Sequence, residues 1–162
     1  MIIVTGGSSG LGKEVAESLS SSGESVLTIS RRKLGIKSHL QCDLTDYNSV
    51  KKTYKDIKKR GEKVSAIINC AGIASMNLAL TTPPEVTEKI IKTNLIGTIF
   101  CNQIFAPLLI RSGGGRIINF STIAVDLGLK GESIYVASKA GVEGFSRSLA
   151  RELASFKITV NC

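Results

Sequence analysis

The sequence predicts a doubly wound α/β fold, a parallel sheet with helices on both faces in a three-layer α/β/α arrangement. Two observations carry this. Short β-branched runs alternate with amphipathic helical patterns from one end of the chain to the other, as strands buried on both faces and joined by crossover helices require. The first such run, Ile2 to Thr5, leads directly into a glycine-rich turn, Gly6-Gly7-Ser8-Ser9-Gly10-Leu11-Gly12, from which a helix opens. At 162 residues the chain suits one core, burying roughly 70% of the surface its unfolded form exposes, so residues 1–162 read as a single domain.

The elements follow in order. Strands are expected at Ile2 to Thr5, Ser25 to Ser30, His39 to Cys42, Val64 to Asn69, Arg116 to Ser121 and Ile158 to Asn161. The first helix carries Leu11, Val15 and Leu19 on one face, turns Lys13, Glu14 and Glu17 outward and stops at Gly23. The second, Asp46 to Arg60, sets Val50, Tyr54 and Ile57 against a face of five lysines. The third runs from Glu85 to Arg111, with bends predicted at Gly97 and Pro107. Its second half is apolar on more than one face. The fourth, Ser133 to Ala154, mixes bulky apolar residues with Ala137, Ala140, Gly141 and Gly144, which permit close packing. Surplus apolar surface on residues 95–110 and 134–154 suggests a homodimer or homotetramer built on these two helices, the favoured reading, or else a core that a further segment covers. The last strand is expected at a sheet edge with Ile158 and Val160 exposed.

The net charge of +8 does not imply nucleic-acid binding. Its largest cluster, Lys51 to Lys59, is the solvated face of one helix, and no aromatic residues interleave with it to stack on bases. Cys42, Cys70, Cys101 and Cys162 have neither metal-ligand nor disulfide spacing and read as reduced thiols, with no metal site. Met1 leads straight into the first strand without the n- and h-regions of a signal peptide. No apolar run reaches the roughly 20 residues of a membrane span. A cytoplasmic location and no membrane association are the expectations.

The glycine turn carries the first chemistry. Glycines permit the sharp turn and close backbone approach to a pyrophosphate, whose charge the amides and dipole of the following helix stabilise. Thr5, Gly6, Ser8, Ser9, Gly10, Leu11 and Gly12 are the residues expected there. At the end of the second strand an acidic side chain would bind the ribose 2′-hydroxyl of NAD. This chain has Ser30-Arg31-Arg32 instead, and a guanidinium can grip a 2′-phosphate through paired hydrogen bonds. NADP(H) is therefore expected over NAD(H). Tyr135 and Lys139 stand four apart, on one helix face. An ammonium at ~4 Å stabilises a phenolate by roughly 4 kcal/mol at an effective dielectric of 20, so such a phenol could donate a proton to a carbonyl oxygen as hydride reaches its carbon.

Taken together, Thr5-Gly6-x-x-x-Gly10-x-Gly12, Asn69-Cys70-Ala71-Gly72 and Tyr135-Val136-Ala137-Ser138-Lys139 resemble the short-chain dehydrogenase/reductase family, and 3-oxoacyl-carrier-protein reductases most. Cys70 stands where that family usually has asparagine. The resemblance implies a Rossmann-type sheet of order 3-2-1-4-5-6 and interconversion of a ketone, on a small molecule or acyl thioester, with a secondary alcohol. It implies Tyr135 as general acid/base and Lys139 as its partner and ribose ligand. It further implies Asn69, Ala71 and Gly72 beside the cofactor, Asp43 and Leu44 at the adenine, and Asn94 supporting a proton-relay water. Asp43 also reads as an N-cap of the second helix. The family serine falls thirteen residues before the tyrosine, where this chain has Thr122, with Ser121 adjacent as the alternative hydroxyl. Family members usually continue for roughly another half of this length, beyond what one domain needs. The turn beside the nicotinamide, the substrate lid and the last strand are thus expected beyond Cys162.

Overall fold

The computed structural model describes residues 1–162. Its strands are β1 (Ile2–Thr5), β2 (Val26–Ser30), β3 (His39–Gln41), β4 (Ala66–Asn69), β5 (Gly115–Asn119) and β6 (Ile158–Asn161). They form one parallel sheet in the order β3-β2-β1-β4-β5-β6, as the resemblance implied. Because side chains alternate across a strand, the two faces feed two cores. Ile3, Ile67 and Ile117 join the larger one, whereas Ile2, Val4 and Ile68 turn to the other face.

The helices are α1 (Gly10–Ser21), α2 (Tyr47–Lys59), α3 (Pro84–Ile91), α4 (Gly97–Ser112), α5 (Ala124–Leu127) and α6 (Ser133–Leu153). Val50 and Ile57 of α2, Cys101, Phe105 and Leu109 of α4, and Leu149 and Leu153 of α6 pack into the larger core. α1 contributes Ala16 to the smaller one. This division follows from right-handed crossovers: the chain winds one way from β1 to β3 and the other way from β3 to β6. α1 ends as Gly23 predicted, with the Glu24 amide donating to the Leu19 carbonyl in a Schellman closure.

Several expectations are corrected. Leu11 is 68% exposed, because it lines an open cavity with Ser8, Ser9 and Gly10 while only Gly12 and Ala16 of the helix are buried. Asp46, not Asp43, caps α2 by accepting from the Asn48 amide at 2.9 Å. Asp43 instead closes a turn on Thr45. The bend at Gly97 is a π-helical turn, Lys92–Ile96, immediately before it. At Pro107 the helix continues. Ile158 and Val160 are only 2% and 9% exposed. β6 does lie at the sheet edge, but these residues face the larger core and leave Thr159 and Asn161 outward. Residues 84–112 form a helix long enough to cross a membrane, and its most apolar 18-residue stretch, at a mean hydropathy of 1.4, is apolar enough to do so. α4 packs against the sheet, which buries just over half of that stretch, 56%. Gly141 likewise serves packing within the chain, because a Cβ there would sit 2.9 Å from the Leu95 side chain.

Candidate active site

A cavity of about 720 Å³ opens at the carboxyl ends of the strands, where doubly wound sheets bind ligands. Its size is that of a cofactor or drug-sized pocket. The turn between β1 and α1 forms one wall. Gly6 holds a left-handed φ of 73°, and a Cβ on Gly12 would lie 2.5 Å from the Gly6 carbonyl oxygen, so no larger residue fits that cradle. Ser9 precedes α1 without a side-chain cap bond, and the first turn of the helix carries no acidic residue. The helix amides and positive dipole end are therefore left to an anion.

Ser30, Arg31 and Arg32 line the cavity after β2, and Asp43 and Leu44 line it after β3. Burial works to raise the Asp43 pKa, but the amide and hydroxyl of Thr45 donate to its carboxylate at 2.9 and 2.8 Å. With Arg31 and Lys92 nearby, they hold it below the ordinary carboxylate value. Leu44 reaches α4 through the small Gly97, whose missing Cβ would be 3.4 Å from it.

Ala71 and Gly72 line the cavity after β4. Thr5 and Asn69 do not line it. They are buried beneath it, where Thr5 Oγ1 donates to Asn69 Oδ1 and accepts from the Ala71 amide, both at 3.4 Å. Asn94 is also buried rather than on the wall. Its side chain accepts from the Ile73 amide at 2.8 Å and donates to the Ile73 carbonyl at 2.8 Å and to Ser138 Oγ at 3.0 Å. It thereby ties the loop after β4 to α6.

Tyr135 and Lys139 share the far wall. The Lys139 ammonium sits 5.9 Å from the Tyr135 ring centroid and donates to the Phe120 carbonyl at 2.7 Å. Lys139 is 5% exposed, and burial pulls its pKa below the ordinary lysine value while the thiols of Cys162 and Cys70 push the other way. Cys70 lines the cavity too, its thiol pushed up to about 11 by burial.

The two candidate hydroxyls separate here. Ser121 lines the cavity and donates to Glu143 Oε1 at 2.6 Å. Thr122 lies off the wall, its hydroxyl accepting from the Ala124 amide at 3.3 Å. Counting thirteen residues back selected Thr122, but the chain bends into α5 directly after it.

Sequence reasoning missed a buried layer beneath the cavity. Asn119 Oδ1 accepts from Asn69 Nδ2 at 2.8 Å and from Asn102 Nδ2 at 3.1 Å, and Asn119 Nδ2 donates to Ser146 Oγ at 2.8 Å. This network joins β4, β5, α4 and α6 under the site. Its only trace in the sequence is polar residues at positions whose pattern demands core.

The family model described as short chain dehydrogenase matches residues 1–162. Carbonyl reductase family member 4 of Xenopus laevis is 37% identical over 98% of this chain and 71% of its own length. The human 3-oxoacyl-[acyl-carrier-protein] reductase is 34% identical over the same shares. Among solved structures, the ligand-free aldohexose dehydrogenase of Thermoplasma acidophilum superposes with a TM-score of 0.92 at 31% identity. That match covers 99% of this chain and 63% of the other, so this chain spans less than two thirds of that protein.

Proposed function

Because this chain belongs to the short chain dehydrogenase family, we propose that it forms the cofactor-binding and proton-donating part of an NADP(H)-dependent reductase interconverting a ketone and a secondary alcohol. The observation that carries the proposal is the wall shared by Tyr135 and a buried Lys139, in the same cavity as the glycine turn. The residues present fit a nicotinamide dinucleotide: the Gly12 cradle and the uncapped α1 amides suit its pyrophosphate. When bound, it supplies or accepts hydride.

The chain's own residues do the rest. The Tyr135 hydroxyl gives its proton to the carbonyl oxygen, and the Lys139 ammonium stabilises the phenolate left behind. Ser30, Arg31 and Arg32, with no carboxylate at the end of β2, support a 2′-phosphate and thus NADP(H). We take the substrate to be a 3-oxoacyl thioester or a comparable small carbonyl, on the likeness to the human 3-oxoacyl-[acyl-carrier-protein] reductase. A homodimer or homotetramer through α4 and α6 is proposed on Ile110, exposed, and Ile99 and Phe145, half-buried. The four free thiols suit the reducing cytoplasm.

A second reading, a non-catalytic dinucleotide-binding module, is favoured by one observation: the Ser121 hydroxyl already donates to Glu143 and Thr122 lies off the cavity wall, so neither stands ready for a substrate. Fluorescence titration with NADPH and NADH, followed by turnover of acetoacetyl thioesters with Tyr135→Phe as control, separates the two. Turnover that depends on Tyr135 supports the reductase. Binding without turnover supports the module, and no binding of either cofactor overturns both.

A further inference from the structure

The turn carrying Arg31 and Arg32 is exposed, yet its backbone is held from beneath by the edge strand. Gln41 Nε2 donates to the Arg31 carbonyl at 2.9 Å. The ring of His39 contacts the Arg32 carbonyl through Nε2 at 2.7 Å. Since a carbonyl can only accept, Nε2 must carry the proton. Ser30 Oγ donates to the same carbonyl at 2.9 Å. His39 and Gln41 are two apart on β3 and so share a face.

The other ring nitrogen of His39 extends the connection. Nδ1 lies 2.8 Å from Thr28 Oγ1 on β2, and Thr28 packs against the glycine turn, where a Cβ on Gly7 would meet Thr28 Cβ and Cγ2 at 2.7 Å. His39 is buried. One chain of contacts therefore runs from the turn expected to hold the pyrophosphate, through Thr28 and His39, to the turn expected to hold the 2′-phosphate.

We propose that His39 and Gln41 are positioning residues for cofactor selection: by holding the Arg32 and Arg31 carbonyls, they fix the turn so that both arginines are presented to a 2′-phosphate without reordering. This rests on the NADP(H) reading above. A long cationic side chain on a loose turn gives up part of its binding energy to ordering, whereas a preorganised turn does not. The clamp touches neither cofactor nor substrate and acts only through the arginines.

The test compares His39→Leu, His39→Gln and Thr28→Val with the unaltered chain. Two readouts are taken: dissociation constants for 2′,5′-ADP and 5′-AMP, and the rate of tryptic cleavage after Arg31, Arg32 and Lys33, located by mass spectrometry. His39→Leu should weaken 2′,5′-ADP about tenfold, as expected from losing a part-buried hydrogen bond and the order it imposes, with 5′-AMP changing less than about twofold. Cleavage at the turn should accelerate while cleavage elsewhere stays constant. His39→Gln, whose amide can still reach the Arg32 carbonyl, should restore most of both. Thr28→Val should reproduce part of the loss if the leucine variant does not fold. Equal loss of both nucleotides, or unchanged cleavage at the turn in folded variants, overturns the proposal. Should the unaltered chain fail to prefer 2′,5′-ADP, the NADP(H) reading falls, and accelerated cleavage in His39→Leu would still establish the clamp on the turn.

Discussion

Asn119→Leu is the most informative perturbation of the fold, because it removes the centre of the buried network at nearly constant volume. Asn119 is 1% exposed, and its amide makes three hydrogen bonds, to Asn69, Asn102 and Ser146. None of these partners is left wholly bare: Asn69 still donates to Asn102 Oδ1, Asn102 to the Thr98 carbonyl, and Ser146 to the Val142 carbonyl. The cost is therefore that of three ordinary hydrogen bonds lost to a site water cannot refill, about 3 kcal/mol. For a chain of this size that is a drop in Tm of about 6–12 °C. Urea unfolding followed by circular dichroism measures the free energy, and a parallel thermal scan measures the shift. Lys13→Ala, which breaks an exposed ion pair with Glu17 at 3.6 Å, serves as the contrast and should cost less than about 0.5 kcal/mol. A loss below about 1 kcal/mol for Asn119→Leu would refute the reasoning, since the network would then contribute no more than a hydrophobic side chain of similar shape.

Other expectations concern the site. Tyr135→Phe should keep cofactor affinity and lower turnover by about 10²–10⁴-fold, measured by NADPH absorbance. Gly12→Ala should abolish cofactor binding, because its methyl would strike the Gly6 backbone rather than a movable side chain, whereas Lys13→Ala should leave binding intact in the same titration. Burial lowers the Lys139 pKa from 10.5, so between the folded value and 10.5 the unfolded chain binds more protons and stability rises with pH. Below that window the full penalty of the buried ammonium is present. Unfolding free energies measured across the alkaline range should show this upward contribution in the unaltered chain and lose it in Lys139→Met. Ellman titration of the native chain should find the exposed Cys162 reacting first, and Cys42 and Cys101 only after unfolding.

How much of this could be read from the residues depends on whether a feature repeats along the chain or depends on what lies across it. Most strand positions were legible because β-branched runs alternate with helices at the spacing of crossover connections, although β2 leads to β3 with no helix between them. The glycine turn was legible because glycines cluster between a strand and a helix and Gly12 is required by the Gly6 backbone six residues away, although Gly6 itself is required by the Ala71 backbone from the far side of the turn. The period of a helix puts Tyr135 and Lys139 on one face, and their company with the glycine turn and Asn69-Cys70-Ala71-Gly72 marked that face as a site. Leu11 was misread for a related reason, since helical periodicity says which residues share a face but not which of them border an open cavity.

The features that were not legible are those fixed by distant partners. Nothing near Asn102 or Asn119 announces that the two amides meet, because they stand on different elements and become neighbours only when α4 packs under β5. The same holds for Ser121 and Thr122. Counting back from Tyr135 assumes a loop of fixed path, whereas here the chain turns into α5 immediately after Thr122, so its hydroxyl accepts from Ala124 and Ser121 is left on the wall. How free the Ser121 hydroxyl is to donate to a ligand is set by Glu143, a residue on another element whose carboxylate accepts its hydrogen bond at 2.6 Å. A ligand carbonyl can draw that hydrogen bond away only if it is the better acceptor at that moment, as an oxygen gaining negative charge during hydride transfer would be. Ser121 thus suits a developing charge better than a resting carbonyl, and Glu143→Gln, by offering a weaker acceptor, should strengthen ground-state binding of a ketone through Ser121 more than it speeds turnover, which steady-state KM and kcat resolve.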